Sequence, residues 1–374
     1  MTNLLFAQPK QNWVDSTYQS LTLEQKIWQL FMPMVFSQGD QNHYQKATSA
    51  IEKYHLGGII FSKGTIAEQV RLPNEFQNKS SVPLLIAMDA EWGMAMRISD
   101  VSPFPFQMTL GAIQNDSLLY QLGQSMANRQ RRVGVHLNFA PVVDVNTNSQ
   151  NPVIGVRSFG SDPKLVTQKA SMLIQGMQDG GLMACIKHFP GHGNTSTDSH
   201  HTLPLVNHDI NHLNRIELYP FKTLIDEGVF SVMVGHLEVP TLEQTKGLPS
   251  SLSSSIIHDL LVKEFGFDGL VVTDALNMKG VSDHSGIQSS SLRSFLAGAD
   301  LLLIPDDLPI AFEDIRNAFI SGAIAEKRLA HSVKKILNAK FDAKLHKSKF
   351  VLVDSLYQDI ESSDTIKLNH QLAE

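Results

Sequence analysis

Eight short apolar segments recur along the chain, and their number and spacing constrain the fold more than any other feature. Each has the length and composition of one buried β-strand. The stretches between them, such as 163–179 and 253–265, carry helical periodicity with Asp, Ser or Thr near their starts. This alternation predicts the α/β class. It favours a (β/α)8 TIM barrel, regular or irregular, over a doubly wound sheet, although the pattern by itself leaves both open. The segments are "LFMPMV" (30–35), "LGGIIF" (56–61), "PLLIAMD" (83–89), "LNFAPVVD" (137–144), "MACIKH" (183–188), "SVMVGH" (231–236), "GLVVTD" (269–274) and "DLLLIP" (300–305).

Titratable side chains stand at the carboxyl ends of five of these segments. They are Asp89, Asp144, His188, His236 and Asp274. Barrel enzymes build their active sites at that end of the strands and in the loops that follow. One such aspartate commonly caps a helix, but five polar strand ends together predict an active site.

No internal repeat, low-complexity tract or Pro/Ser-rich linker divides the 374 residues. A last helix-like segment covers 325–340, and residues 341–374 then become polar. We therefore expect one catalytic barrel over 1–340. The extension 341–374 is expected to pack on the barrel or to begin a linker.

Charge and composition exclude several classes of function. The net charge is −6 and the isoelectric point is near 6.2, which argues against nucleic-acid or anionic-membrane partners. Cys185 is the only cysteine, so an intrachain disulfide and a multi-cysteine zinc motif are both excluded. No apolar run approaches the roughly 20 residues of a membrane-spanning helix. We expect a monomer or a weak dimer with a small-molecule substrate.

The first residues, "MTNLLFAQPKQ", are too short for a secretory signal. "LLFAQ" could still be the remainder of a trimmed signal. The expected location is therefore left open between cytoplasm and periplasm.

Residues 187–201 read "KHFPGHGNTSTDSHH" and hold four histidines. Asp198 precedes His200 by two residues, so on an extended loop the carboxylate can orient the imidazole and stabilise its protonated form. A histidine held in this way is a good general acid/base near neutral pH. The connection "FPGHGNTST" has little to bury, so we expect a loop that closes over substrate. The alternative is a surface loop whose polar residues only cap turns.

Two other chemistries are weaker. His188, His192, His200 and His236 could hold a metal, but no strand end carries a short His-x-His and Lys187 would place a cation beside the ion. A Schiff base on Lys187 would leave the Asp–His pair without a role. We therefore expect no metal and no cofactor. Asp274 ends a hydrophobic strand and is the candidate nucleophile, with a helix cap as the alternative.

The segments "KHFPGHG", "DSH" and "VVTDALNM" (271–278) resemble glycoside hydrolase family 3 in its β-N-acetylglucosaminidase branch. The similarity covers roughly residues 20–340. It extends to "IAMDAEWGMAMR" (86–97), "NFAPVVDVN" (138–146), "VIGVRSFG" (153–160), "VMVGHLEVP" (232–240), "LPSSLS" (248–253) and "AGADLLLIP" (297–305).

The resemblance implies a retaining hydrolase in which Asp274 is the nucleophile and His200 is the acid/base, paired with Asp198. It further implies sugar-binding roles for five residues, which are Asp89, Arg97, Arg157, Lys187 and His188. Where many members read Asp-Gln-Glu-Gly-Gly, this chain reads "DAEWG" (89–93). Trp92 and the methionines of "GMAMR" indicate an apolar wall near the far edge of the sugar.

The expected function is a retaining exo-β-N-acetylglucosaminidase that removes terminal GlcNAc from peptidoglycan fragments or chitooligosaccharides. One alternative is a β-N-acetylglucosaminide phosphorylase, because a histidine acid/base places less negative charge near an incoming phosphate. The other is a non-catalytic sugar-binding barrel.

Overall fold

The computed structural model of the chain describes residues 2–197, 202–282 and 288–374. Nine β-strands occur in these ranges, and every predicted apolar segment overlaps at least one of them. The strands are β1 (Phe31–Met32), β2 (Met34–Phe36), β3 (Gly58–Ser62), β4 (Leu85–Met88), β5 (Leu137–Asn138), β6 (Met183–Phe189), β7 (Ser231–Val234), β8 (Leu270–Thr273) and β9 (Leu302–Leu303).

Helices separate the strands, as the alternating pattern predicts. The described ranges contain α1 (Thr2–Ser20), α2 (Leu23–Trp28), α3 (Gln41–Tyr54), α4 (Ile66–Lys79), α5 (Gln107–Ala112), α6 (Ser117–Arg132), α7 (Pro163–Asp179), α8 (Ile210–Arg215), α9 (Leu218–Asp226), α10 (Lys279–Ser282), α11 (Ser290–Ala297), α12 (Leu308–Ile320), α13 (Glu326–Asp342), α14 (Leu356–Ile360) and α15 (Ser363–Ala373). A π-helix spans Ser255–Glu264, and single 3-10 turns span Met94–Met96, Gly155–Arg157 and Ser250–Leu252.

The strands form a curled, fully parallel sheet in the order β2-β3-β4-β5-β6-β7-β8. β1 pairs with β9 in parallel, and Val272 of β8 forms a parallel bridge with Leu301, just before β9. Pro33 separates β1 from β2 because a proline has no N–H to donate to a neighbouring strand. The predicted α/β class is confirmed, and the curled sheet is consistent with a (β/α)-type barrel.

The strands read as continuous apolar runs because helices cover the sheet and bury the strand residues. All four residues of β4 and all seven of β6 are buried. Outside the sheet, α6 and α7 pack closely because small residues face each other. A Cβ at Gly176 would lie 2.1 Å from the carbonyl oxygen of Tyr120, so only glycine permits this approach.

Residues 341–374 contain α14 and α15, which both pack against α6. Glu361, at the end of α14, forms a buried ion pair with Arg129 of α6. Arg132 and Asp359 form a second, more exposed pair 2.7 Å apart. These contacts hold the extension against the rest of the chain, while the boundary at residue 340 stays a prediction.

The described part of the chain contains no helix that combines the length and hydrophobicity needed to cross a bilayer. The "LLFAQ" segment lies within α1, the first of the described helices.

Glu361→Ala should lower the free energy of unfolding by about 3–5 kcal/mol, because it leaves the Arg129 guanidinium buried without its partner. Asp359→Ala is the matched control on the same helix. That carboxylate is 46% exposed, so its loss should cost less than about 1 kcal/mol. Urea unfolding of both variants measures the two values. Equal losses would mean that the buried pair does not anchor the extension.

Candidate active site

A cavity of about 500 Å³ opens at the carboxyl ends of the strands. Six of the eight predicted site residues line it together: Asp89, Arg97, Arg157, Lys187, His188 and Asp274. The two others, Asp198 and His200, lie outside the described residues. Of the five predicted polar strand ends, Asp89, His188 and Asp274 line this cavity, whereas Asp144 and His236 do not.

One side of the cavity is a network of ion pairs centred on Lys187. The Lys187 Nζ lies 2.9 Å from Asp89 Oδ1 and 2.8 Å from Glu91 Oε1. Arg97 Nη2 lies 3.1 Å from Asp89 Oδ2. Arg157 donates two hydrogen bonds to Glu91, from Nε to Oε2 at 2.9 Å and from Nη2 to Oε1 at 2.8 Å. Three cations thus face two carboxylates, and the network keeps one excess positive charge.

Every member of the Lys187 network whose pKa is shifted is held in its charged form. Burial alone would raise the pKa of Glu91, but Lys187 and Arg157 outweigh it and hold that pKa well below its usual range. Burial would likewise raise the pKa of Asp89, but Lys187 and Arg97 lower it overall. Burial would lower the pKa of Lys187, yet the two carboxylates raise it. The network is therefore ionised at neutral pH.

Asp144 follows β5 and the isolated Val142–Lys187 bridge, and it organises the next part of the site. Its buried carboxylate accepts hydrogen bonds from the backbone N–H of His192 at 2.7 Å and of His188 at 3.2 Å. It also lies 2.8 Å from His188 Nδ1, which places a proton on that nitrogen and leaves Nε2 free to face Arg157 at 3.5 Å. Burial would raise the pKa of Asp144, but His188 and His192 lower it overall.

The start of the histidine loop is anchored rather than loose. His192 Nδ1 lies 2.7 Å from Thr195 Oγ1, and Asn151 donates to the His192 carbonyl at 2.9 Å. A Cβ at Gly193 would lie 1.9 Å from the Val145 carbonyl oxygen. The expectation that this connection has little to bury is therefore wrong for residues 189–193, which are all buried. The loop's own hydrogen bonds to residues 144–151 are the reason. Burial also lowers the pKa of His192 to about 4, so its ring is neutral at pH 7.

Asp274 follows β8 directly. Its backbone N–H donates to the Val234 carbonyl at 2.9 Å, and its Oδ1 accepts from the Ala275 N–H at 2.8 Å. The next helix begins at Lys279, so the helix-cap alternative is not supported. Burial would raise the pKa of Asp274, but His236 and His188 lead the groups that lower it overall, so the carboxylate is ionised. His236 is itself held by Ser251 Oγ at 2.7 Å.

Two residues of the site were missed as functional candidates. Glu91 stands two positions after Asp89 in "DAEWG", and Asp144 was recognised only as a strand end. Both are buried acids whose partners come from distant parts of the chain, and no spacing rule identifies such acids. The apolar wall is present in part. Trp92 and Met96 line the cavity, whereas Met94 is buried in the core. Further apolar lining comes from Met34, Met233 and Met278.

A model of the glycosyl hydrolase family 3 N-terminal domain matches residues 22–339. The chain belongs to glycosyl hydrolase family 3. The sequence resemblance to this family is thereby confirmed.

The family 3 chain is similar to Beta-hexosaminidase A of Pseudoalteromonas piscicida, with 35% identity over 68% of this chain and 46% of that protein. It thus spans less than half of this relative's length. A family 3 β-N-acetylglucosaminidase from Paenibacillus sp. str. FPU-7 superposes with a TM-score of 0.87 and 36% identity, over 95% of this chain and 68% of the other. The β-glucoside phosphorylase BglX, bound to 2FGlc, superposes with a TM-score of 0.91 and 25% identity, over 98% and 67%.

Asp144→Asn should lower the free energy of unfolding at pH 7 by about 3 kcal/mol, because an amide cannot accept all the N–H groups that face this position. The lowered pKa of Asp144 means that its contribution is present above the unfolded pKa, near 3.8, and is lost as pH falls further. The gap between wild type and variant should therefore narrow below about pH 4. Urea unfolding across this range measures it, with Asp268→Asn, at an exposed position, as control. A gap that does not change with pH would contradict this role.

Proposed function

We propose that the chain is a retaining exo-β-N-acetylglucosaminidase that removes terminal GlcNAc from peptidoglycan fragments or chitooligosaccharides. The observation that carries the proposal is the ionised Asp274 carboxylate in the same cavity as the Lys187 network. Family membership supports glycoside hydrolysis, and the names of the Pseudoalteromonas and Paenibacillus relatives support an N-acetylhexosaminide as substrate.

In the proposed first step, an Asp274 oxygen attacks the anomeric carbon. The bond to the leaving oxygen breaks, and that oxygen takes a proton from His200. The product is a covalent glycosyl-enzyme. In the second step His200 removes a proton from water, and the water oxygen displaces Asp274 from the same carbon. Two inversions at one carbon retain the β configuration.

The Lys187 network is proposed to bind the sugar hydroxyls. Charged groups make stronger hydrogen bonds to hydroxyls than neutral groups do. Asp89 and Glu91 accept from O–H groups, while Lys187, Arg97 and Arg157 donate to their oxygens. Because these charges are already paired, the empty network keeps its geometry and substrate binding requires little reorganisation. His188, oriented by Asp144, is proposed to complete this side with its Nε2, which also faces Arg157.

A histidine acid/base suits a site that already contains an ionised carboxylate. Retaining glycosidases hold two carboxyl groups about 5–5.5 Å apart, and their mutual repulsion keeps the acid protonated. An imidazole does not rely on that repulsion, because Asp198 is proposed to stabilise its protonated form instead.

We further infer that the curled sheet closes into an eight-stranded (β/α)8 barrel in which β1 and β2 act as one strand interrupted by Pro33. The parallel β1–β9 pair and the Val272–Leu301 bridge support closure. The catalytic unit is proposed to span 1–340, with 341–374 as an extension.

A second candidate is a β-N-acetylglucosaminide phosphorylase, in which phosphate rather than water displaces Asp274 from the sugar. The superposition of BglX over 98% of this chain favours it.

Azide products test the proposed roles of Asp274 and His200. On an activated aryl β-N-acetylglucosaminide, Asp274→Ala should lose at least about 10⁴-fold in kcat. Added azide should then restore turnover and yield the α-glycosyl azide, because it replaces the carboxylate in a single inversion. His200→Ala should yield the β-glycosyl azide, because there azide attacks the glycosyl-enzyme. Nuclear magnetic resonance of the products reads the configuration.

The matched control is Asp268→Ala, which removes an exposed aspartate just before β8 instead of the one just after it. Its kcat should equal that of the wild type. Unchanged turnover in Asp274→Ala, or a β-azide from it, would refute the nucleophile assignment.

Product analysis separates the two candidate functions. A hydrolase should release free GlcNAc at the same rate with and without inorganic phosphate, because water is its acceptor. A phosphorylase should instead accumulate GlcNAc-1-phosphate and accelerate with phosphate. Chromatography of the products at increasing phosphate measures the ratio, and a predominance of the phosphorylated sugar would replace the first candidate by the second.

A further inference from the structure

A second group of titratable side chains lies apart from the residues that line the cavity. It consists of His208, His212 in α8, and Glu217, which immediately precedes α9. One donor atom from each lies within 4.8 Å of the other two. The His212 Nε2 and the Glu217 Oε1 are 3.4 Å apart. Nothing in the proposed glycosidase chemistry uses these residues.

The carboxylate of this group is buried, and the described residues give it an imidazole contact but no hydrogen bond. The Glu217 side chain is 1% exposed, and neither of its oxygens makes a hydrogen bond to any described residue. The neighbouring His212 Nε2 is likewise without a hydrogen bond there. Burying a carboxylate without hydrogen bonds costs several kcal/mol, and burial accordingly raises the pKa of Glu217 to about 6. Among the described residues, each buried acid beside the cavity has at least one hydrogen bond, so Glu217 differs from them and calls for a ligand.

The two imidazoles stack on each other, and side-chain hydrogen bonds hold the backbone that carries them. The His208 and His212 rings stack with centroids 3.9 Å apart and planes 16° apart. Thr241 Oγ1 donates to the His208 carbonyl at 2.5 Å, and the Asp209 carboxylate caps the His212 N–H at 2.8 Å. Both rings are partly exposed, so an ion can reach them from solvent.

We propose that His208, His212 and Glu217 form a binding site for a divalent transition-metal ion of the zinc class. Two imidazole nitrogens and one carboxylate oxygen suit Zn²⁺, whereas Mg²⁺ and Ca²⁺ prefer all-oxygen sites. Zinc bonds to these ligands are about 2.0–2.2 Å long, so small side-chain rotations must bring the three donor atoms closer together. Water completes the coordination on the exposed side. The ion supplies a positive counter-charge to the buried carboxylate.

The site lies directly behind the start of the histidine loop. A Cβ at Gly191 would lie 2.6 Å from the Glu217 Cβ, so the loop backbone rests on this glutamate. Gly191 adjoins His192, whose N–H is bonded to Asp144. A bound ion would therefore fix Glu217 against the segment that leads to Asp198 and His200. Its role is to brace this segment, not to take part in the glycosidic reaction.

Zinc binding to the purified full chain tests the site. Equilibrium dialysis against ZnCl₂, with the metal counted by mass spectrometry, should give one tight equivalent in the wild type. His212→Ala and Glu217→Gln should each weaken that equivalent at least about tenfold, since even a lost outer-sphere partner of a metal ligand costs this much. Zinc should also raise the Tm of the wild type and not that of these variants.

Two controls distinguish this site from other histidines. His370→Ala removes an exposed imidazole on α15 and should leave zinc binding unchanged. His200→Ala removes the proposed acid/base and should also keep the tight equivalent. Loss of the equivalent in His200→Ala, or its retention in both His212→Ala and Glu217→Gln, would overturn the proposal. Circular dichroism without zinc verifies that each variant folds. If Glu217→Gln does not fold, His208→Ala takes its place as the test variant, because the partly exposed His208 can be replaced without disturbing the core.

Discussion

The ion-pair network around Lys187 is the interaction on which the rest of the site depends. Lys187 lies almost fully buried between Asp89 and Glu91, and a lone ammonium at such a position would lose its proton. The two carboxylates keep it charged, and Arg97 and Arg157 in turn keep the carboxylates ionised. Each charge is thus stable only because the others are present. The strands that position Asp89 and Lys187 and the turns that position Arg97 and Arg157 must therefore keep their places.

Asp144 connects this network to the chain segment that follows it. Through His188 it reaches Arg157, and through the His192 N–H it holds the start of the histidine loop. One buried carboxylate therefore sets the orientation of a ring that lines the cavity and the path of the loop that leads to Asp198 and His200.

The two histidine-containing sites differ in the hydrogen bonding of their buried acids. Around the cavity, each buried acid has a cation or an N–H within hydrogen-bonding distance. At Glu217, burial is as deep but the described residues provide no hydrogen bond to the carboxylate. The first arrangement is typical of a preorganised polar site, and the second of a site completed by an ion. Since Glu217 supports Gly191, the two sites meet at the loop.

The amino-acid sequence by itself determined the α/β alternation, the positions of the strands and the placement of Asp89 and Asp274 directly after strands. Local hydrophobicity encodes these features, because a strand covered by helices must be apolar along its whole length. The motifs also sufficed to recognise the family. Only the tertiary structure decided that Glu91 pairs with Lys187 and Arg157, that Asp144 holds His192, and that residues 189–193 are buried. Those outcomes depend on contacts between residues 40 to almost 100 positions apart, and no local pattern records which buried acid meets which buried cation.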